Sequence, residues 1–391
     1  MAEHQSPAFA PTLDSRWLLE VDGFDQRLEP TVEAVLALVN GYGGTRAALE
    51  EGSPVSRPSS FVAGVFNTPE RPQTAELEAP IPEIVVAPDW ARVRIVVEDQ
   101  ELRIGQPGVE LLAQRRVLDM RQGILLREWR VRDGAGRITS LRSLRFASLD
   151  DRHALVQLLT IMPENYAGRL TLESLVDGRV TNENDTLHLA PVAAGEIPHG
   201  TQLTMRTLQS GYVLSYTAHA DLRDVTGGSI AGAPILEDRL VGRCWAWQAE
   251  PGKAYELRKL VAVSTSRDGD DPAAAVRQAL ARLVAAGGAA LMNAQTAAWA
   301  ARWAAVDAEI AGVAETQRQV RFALYHLIGA ANPDDERASV GARALTGERY
   351  RGHVFWDTET FVWPFYLFTE PAAARALLMY RYHTLDRKSV V

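Results

Sequence analysis

The sequence predicts a multidomain chain of β followed by α: an N-terminal antiparallel β-sandwich, then a helical linker, then further helices. Three observations predict it. Short apolar runs with partial period-two alternation recur from Trp17 to about Ser266, separated by turn signals and with few helices between them. The character changes after Asp268-Gly269-Asp270-Asp271-Pro272, where Ala-rich, helix-compatible sequence begins. A chain of 391 residues is long enough for two or three domains.

Residues 1–16 are polar and Pro-containing and are expected to be loose. Pro30 to Leu38 reads as a short helix ahead of Asn40-Gly41-Tyr42-Gly43-Gly44. Runs such as Ala91 to Val97 and Ile124 to Val131 read as strands. Asp133 to Arg137, lying between two such runs, reads as a hairpin turn. Many strands with few intervening helices imply antiparallel sheets stacked on one another. These considerations place a sandwich domain over residues 17–268.

Asp271 is a plausible N-cap with Pro272 at the first helical position. Helix-compatible sequence runs from Ala273 to Ile310 with an interruption at Gly287-Gly288, so residues 269–314 read as a linker of two helices. Trp299, Trp303, Val306 and Ile310 share one face of the second. Glu315 to Ala331 carries Val320, Ala323, Leu324, Leu327, Ile328 and Ala331 on one stripe, which predicts that this stripe faces the core. A loop from Asn332 to about His353 follows, the chain turns helical near Thr358, and Thr369-Glu370-Pro371 opens a last helix to about Leu385.

Composition narrows the function classes. A net charge of −8, with scattered basic residues, argues against a nucleic-acid surface. Cys244 is the single cysteine, which excludes an internal disulfide or a multi-cysteine zinc site. The start Met1-Ala2-Glu3-His4-Gln5 has no basic region followed by an apolar one, and no apolar run approaches ~18 residues. A cytoplasmic location without membrane contact is the expectation. The eight histidines show no paired ligand spacing, so no metal is expected. Gly-x-Ser-x-Gly is absent, and the Gly-rich Asn40 to Gly44 lacks the Lys-Ser/Thr of a phosphate loop.

Chemistry concentrates between Leu345 and Phe365. Taken singly, its polar and aromatic residues have ordinary structural readings: Asp357 as an N-cap, Trp356 as core, His353 as a satisfied histidine, Glu359 and Arg351 as solvated charges. Together, on a long loop running into a helix, they form a mixture of ring faces and fixed acceptors. That mixture suits a sugar, which offers hydroxyls to carboxylates and C–H faces to rings. Trp356, Asp357, His353, Glu359 and Arg351 are therefore the candidate substrate-binding residues.

The run Gly352-His353-Val354-Phe355-Trp356-Asp357-Thr358-Glu359, with Leu345-Thr346-Gly347-Glu348 before it and Pro364-Phe365 after it, closely resembles glycoside hydrolase family 65. That family includes maltose, trehalose and kojibiose phosphorylases and acid trehalases. Asn40-Gly41-Tyr42-Gly43, Ala63-Gly64-Val65-Phe66, Leu118 to Gly123, Pro163-Glu164-Asn165 and Asp177-Gly178-Arg179-Val180 extend the resemblance in order, from about Trp17 to Leu385. It implies a β-sandwich, a helical linker, an (α/α)6 barrel holding the active site and a small C-terminal β domain. It implies that Trp356 and Asp357 line the subsite for the non-reducing glucose of a disaccharide of the trehalose, maltose, kojibiose or nigerose class. The implied reaction is inverting phosphorolysis, with inorganic phosphate as co-substrate, no cofactor, and one Glu as general acid. Its products would be β-glucose 1-phosphate and glucose. A trehalase-like hydrolase and a non-catalytic carbohydrate-binding module are the alternatives. Family phosphorylases are often dimers, so a homodimer is an expectation for the full-length form.

The chain also departs from the family. An (α/α)6 barrel has twelve helices at ~20–30 residues each with their loops, whereas the residues from Thr316 to Val391 suffice for about three. The expectation for 315–391 is thus an incomplete barrel with exposed apolar helix faces, the general acid lying beyond Val391 and no catalytic residue present. Asp386 to Val391 match one reading frame of a common sequencing-adapter sequence, and the expectation is a truncated gene fragment with an artefactual end.

Overall fold

In a computed structural model, the chain is described over residues 10–73 and 78–385. The expectations for residues 1–9 and for Asp386 to Val391 lie outside the described residues. From Ala10 onward the N-terminal segment is anchored: the Thr12 amide donates to Asp119 Oδ2 at 2.7 Å, and Asp14 caps the 3-10 turn Ser15–Trp17. That corrects the loose segment expected up to residue 16, because a backbone donor found a buried carboxylate on a distant strand.

Antiparallel sheets make up the first two-thirds of the chain. The larger has ten strands, in the order Leu18–Asp22, Val109–Asp119, Ile124–Asp133, Ile138–Ala147, Ala154–Pro163, Tyr255–Thr265, Val213–Asp224, Gly200–Thr207 and Leu189–Ile197, with the short Ser229–Ile230 beside Val213–Asp224. A second sheet orders Gly232–Glu237, Leu240–Ala249, Gly168–Asp177, Val93–Val97 and Gln100–Glu101. Alternation decides the faces: Val93, Ile95, Val97, Leu170, Leu172 and Trp245 of the smaller sheet share one core with Trp129, Leu141, Leu159, Ile161 and Leu257 of the larger. The predicted hairpin forms, with the Asp133 amide donating to Arg137 O and the Asp133 carboxylate accepting from the amides of Ala135 and Arg137.

Charges are buried inside this β-rich region, each with partners. Arg127 donates to Glu50, Glu51 and Gln114 and stacks 3.4 Å from the Trp129 ring centroid. Arg116 makes a bidentate pair with Glu29 at 2.7 Å. A buried charge is tolerated only when paired and hydrogen-bonded in this way. Glu29 opens the short helix α1 (Glu29–Val35), so this pair ties the helix to the larger sheet.

Helix α2 (Pro272–Val306) begins as the sequence predicts, with Asp271 accepting from the Ala274 amide and Pro272 at the first position. Gly287 takes φ 77 and ψ 162, which breaks the helix at the expected glycine pair. Trp299 and Trp303 are buried on one face. The Trp303 indole donates to Met120 O at 2.9 Å, and Gln295 donates to Gln122 O and Gly123 O. Ile310 lies past the end of this helix, not on its face.

Helix α3 (Ala314–Ile328) corrects part of the expected core stripe, of which Ile328 and Ala331 are buried as expected. Its buried residues are Gln317, Arg321, Tyr325 and Ile328, whereas Val320, Leu324 and Leu327 are half-buried and Ala323 is exposed. Long-range partners account for this. Arg321 makes a bidentate pair with Asp307 and sits 3.6 Å from the Trp17 ring centroid. Gln317 bonds Ile310 N and Ala308 O, and Tyr325 stacks on Trp299 with centroids 4.9 Å apart. Helices α4 (Trp363–Thr369) and α5 (Pro371–Thr384) follow the loop, and Tyr366 links α4 back to α3 by donating to Leu327 O. Phe361, Phe368 and Tyr382 stand exposed on this helical region. None of the described helices is long and apolar enough to cross a membrane.

Candidate functional site

The stretch singled out in the sequence is a loop braced by both regions of the chain. Gly41 and Gly44 of the Gly-rich turn lie so close to Ala331 O and Leu345 O that a Cβ at either position would collide with backbone. That close approach, not a phosphate, explains the glycines. The Arg46 guanidinium donates to Thr346 O at 3.2 Å, and the Ala342 amide donates to His353 O at 3.2 Å. Tyr350 and Arg351 adopt positive φ of 60° and 55°, and Gly352 follows at 74°. Three successive left-handed residues turn the chain toward Asp357 and the π-helical turn Thr358–Val362 that leads into α4.

The five candidate residues fall into two groups. Trp356 is 67% exposed and Asp357 is exposed beside it. Asp357 sits at the N-cap position, yet its side chain makes no capping hydrogen bond, and among the described residues its carboxylate has no partner. The other three are already engaged. His353 Nε2 lies 2.7 Å from Pro82 O, Arg351 donates to Gln73 Oε1 at 3.3 Å, and Glu359 holds Arg381 through two bonds of 2.8 and 2.9 Å.

Arg381 also donates to Phe355 O at 3.1 Å, so Glu359 and Arg381 together fix the backbone just before Trp356. The Glu359 carboxylate in turn raises the pKa of that guanidinium. Below the turn, buried Thr358 donates to Val340 O at 2.8 Å. A ring face and a free carboxylate are thereby presented on a rigid turn, an arrangement able to stack on a sugar ring and accept from its hydroxyls. Among the described residues no group of three His, Cys, Asp or Glu is placed to hold a metal ion.

Sequence reasoning missed two residues. Arg381 lies 22 positions beyond its partner, and no local spacing signals that bond. Glu348 precedes the turn and accepts from the Glu183 amide at 2.6 Å. Burial, together with the charges of Glu183 and Glu83, pushes its pKa up to about 7. A carboxylate in a motif between two glycines carries no sequence mark of such burial.

The sequence pattern described as "Glycosyl hydrolase family 65, N-terminal domain" matches residues 19–302, and that described as "Glycosyl hydrolase family 65 central catalytic domain" matches 321–389. The chain belongs to glycoside hydrolase family 65. It is 34% identical to a kojibiose phosphorylase of Caldanaerobacter subterraneus subsp. tengcongensis, over 95% of this chain and 49% of that protein. A maltose phosphorylase of Bacillus subtilis is 29% identical over 95% of this chain and 49% of the relative. A solved structure described as "Putative kojibiose phosphorylase from human microbiome" superposes with a TM-score of 0.86 at 22% identity, over 95% of this chain and 49% of that one. The last likeness shows the fold: antiparallel β-rich structure followed by helices. The chain spans about half the length of the curated relatives it matches.

Proposed function

We propose that this family 65 chain carries the glucose-holding side of an enzyme that cleaves an α-linked glucose disaccharide by inverting phosphorolysis. In this reading Trp356 stacks on the non-reducing glucose and Asp357 accepts from its hydroxyls, while Glu359 and Arg381 position the turn and His353 and Arg351 brace its base. The pairing of an exposed ring with an uncommitted carboxylate on a clamped turn, inside the family's Phe-Trp-Asp-Thr-Glu motif, is the observation that carries it. A general acid on a later barrel loop donates a proton to the glycosidic oxygen as the anomeric C–O bond breaks. Inorganic phosphate attacks the anomeric carbon from the opposite face and takes the place of a base-activated water, so one catalytic carboxyl suffices.

The same reading divides the chain into a β-sandwich over 17–268, a linker over 269–314 and the first helices of an (α/α)6 barrel from 315, in a cytoplasmic enzyme that pairs as a homodimer. The relatives differ in their disaccharide, so the assay spans four linkages. The gene product at its full natural length is incubated with kojibiose, maltose, trehalose or nigerose, with and without phosphate. Phosphate-dependent release of glucose 1-phosphate from one of them, reduced at least about tenfold in Asp357→Asn, is expected. Glucose release independent of phosphate would replace the reading with hydrolysis. Sugar binding without either product would replace it with a carbohydrate-binding role.

A further inference from the structure

A cavity of about 610 Å³ lies in the seam between the β-rich and helical regions. Neither Trp356 nor Asp357 lines it. Its size falls within the range that holds small organic ligands, about 300–1,000 Å³. Phe66 and Tyr212 come to it from the β-rich side, and Tyr380, His383, Arg337 and Ser339 from the helical side.

Some of the polar groups in this wall are unspent. The Ser339 hydroxyl is buried without a hydrogen-bond partner among the described residues. Arg337 is exposed and, among the described residues, its guanidinium pairs with no carboxylate. The two tyrosine hydroxyls likewise have no partner among the described residues, and Tyr212, Phe66 and Tyr380 are half-buried, so ring surface reaches the cavity.

The acidic groups nearby are neutralised. Asp335 makes a bidentate pair with Arg267 at 2.9 and 3.1 Å, and Arg267 also donates to Ala63 O at 2.6 Å. This fastens the two walls together. Asp335 accepts from the Arg337 amide as well, which fixes the backbone that carries the free guanidinium. Glu336 is held by Arg375 and by His383. The cavity is left with a net positive character, ring faces and spare hydroxyls.

We propose that this cavity is a binding site for a phosphorylated hexose, separate from the glucose subsite. The Arg337 guanidinium takes the phosphate, for which a planar fork of donors is suited. The ring faces and the hydroxyls of Ser339, Tyr212 and Tyr380 take the sugar. Since both walls close on one ligand, binding would also brace the β-rich region against the loop that carries Trp356.

The test is calorimetric titration of this chain with glucose 6-phosphate, glucose 1-phosphate, inorganic phosphate and glucose. Four proteins are compared: the unmodified chain, Arg337→Gln, Ser339→Ala and Asp357→Asn, each with its circular dichroism checked against the unmodified chain. The expected result is that glucose 6-phosphate binds more tightly than phosphate or glucose alone. Affinity for glucose 6-phosphate falls at least about tenfold in Arg337→Gln and roughly threefold to tenfold in Ser339→Ala, and is unchanged in Asp357→Asn, which weakens only the glucose and glucose 1-phosphate held at the proposed glucose subsite. Equal affinity for inorganic phosphate, no binding by either hexose phosphate, or unchanged affinity in Arg337→Gln would overturn the proposal. Loss of binding in Asp357→Asn alone would place the ligand in the glucose subsite, which overturns this proposal while leaving the proposed function standing.

Discussion

Replacing Gly352 with alanine tests how the candidate site is seated. Gly352 has φ +74, and a Cβ built on it lies 2.7 Å from Ile84 Cβ and 2.9 Å from Ile84 Cγ2. Two costs add. A left-handed conformation costs an L-residue about 1–2 kcal/mol. Crowding against Ile84, whose contacting atoms are branched and buried in a packed cluster, costs a further ~1–3 kcal/mol because no flexible side-chain end is there to give way. The sum, about 2–5 kcal/mol, is a large share of the ~5–15 kcal/mol typical of folded domains. Gly136→Ala is the matched control, since Gly136 has φ +80 and nothing within 4 Å of its built Cβ. It should lose only the conformational part, about 1–2 kcal/mol. Urea-unfolding midpoints of both variants, at unchanged slope, give the comparison. Equal losses would refute the argument that close packing on Ile84 dictates glycine at the base of the Trp356 turn.

Three further outcomes are expected. Glu348 has a folded pKa of about 7 against an ordinary value of 4.5, so the folded state binds the extra proton between those values; stability is full below about 4.5, falls as pH rises through about 7, and Glu348→Gln should flatten that slope, which is worth up to roughly 3 kcal/mol in a pH series of thermal or urea melts. Trp356→Ala should change stability by less than about 1 kcal/mol because the ring is mostly solvent-exposed, while disaccharide affinity measured by titration falls at least about tenfold; a large stability loss with intact binding would return Trp356 to a structural role. Asp271→Ala should cost about 1 kcal/mol in the same melts, the usual value of a lost N-cap, and Asp271→Ser should restore most of it.

Local chemistry was readable residue by residue. The N-cap at Asp271, the break at Gly287, the hairpin at Asp133 and the short helix near Pro30 each depend on a few neighbours in sequence, and each appears in the structure close to where the residues place it. The expected stripe of α3 held at Ile328 and Ala331 and failed at its other members for the opposite reason. Val320 and Leu324 look like core by periodicity, but Gln317 and Arg321 take the buried positions because Asp307, Ala308, Ile310 and Trp17 supply partners from elsewhere. Apolar pattern predicts burial only when the polar residues have nowhere better to go.

The sequence by itself determined the family, the β-then-α order and the motif that contains Trp356 and Asp357. Only the tertiary structure decided which of the five candidates are free to meet a ligand. His353, Arg351 and Glu359 are engaged by Pro82, Gln73 and Arg381, residues 22 to 278 positions away, and Trp356 and Asp357 are left exposed. Availability is a property of unmade bonds, and which bonds are made depends on the partners that folding brings within reach.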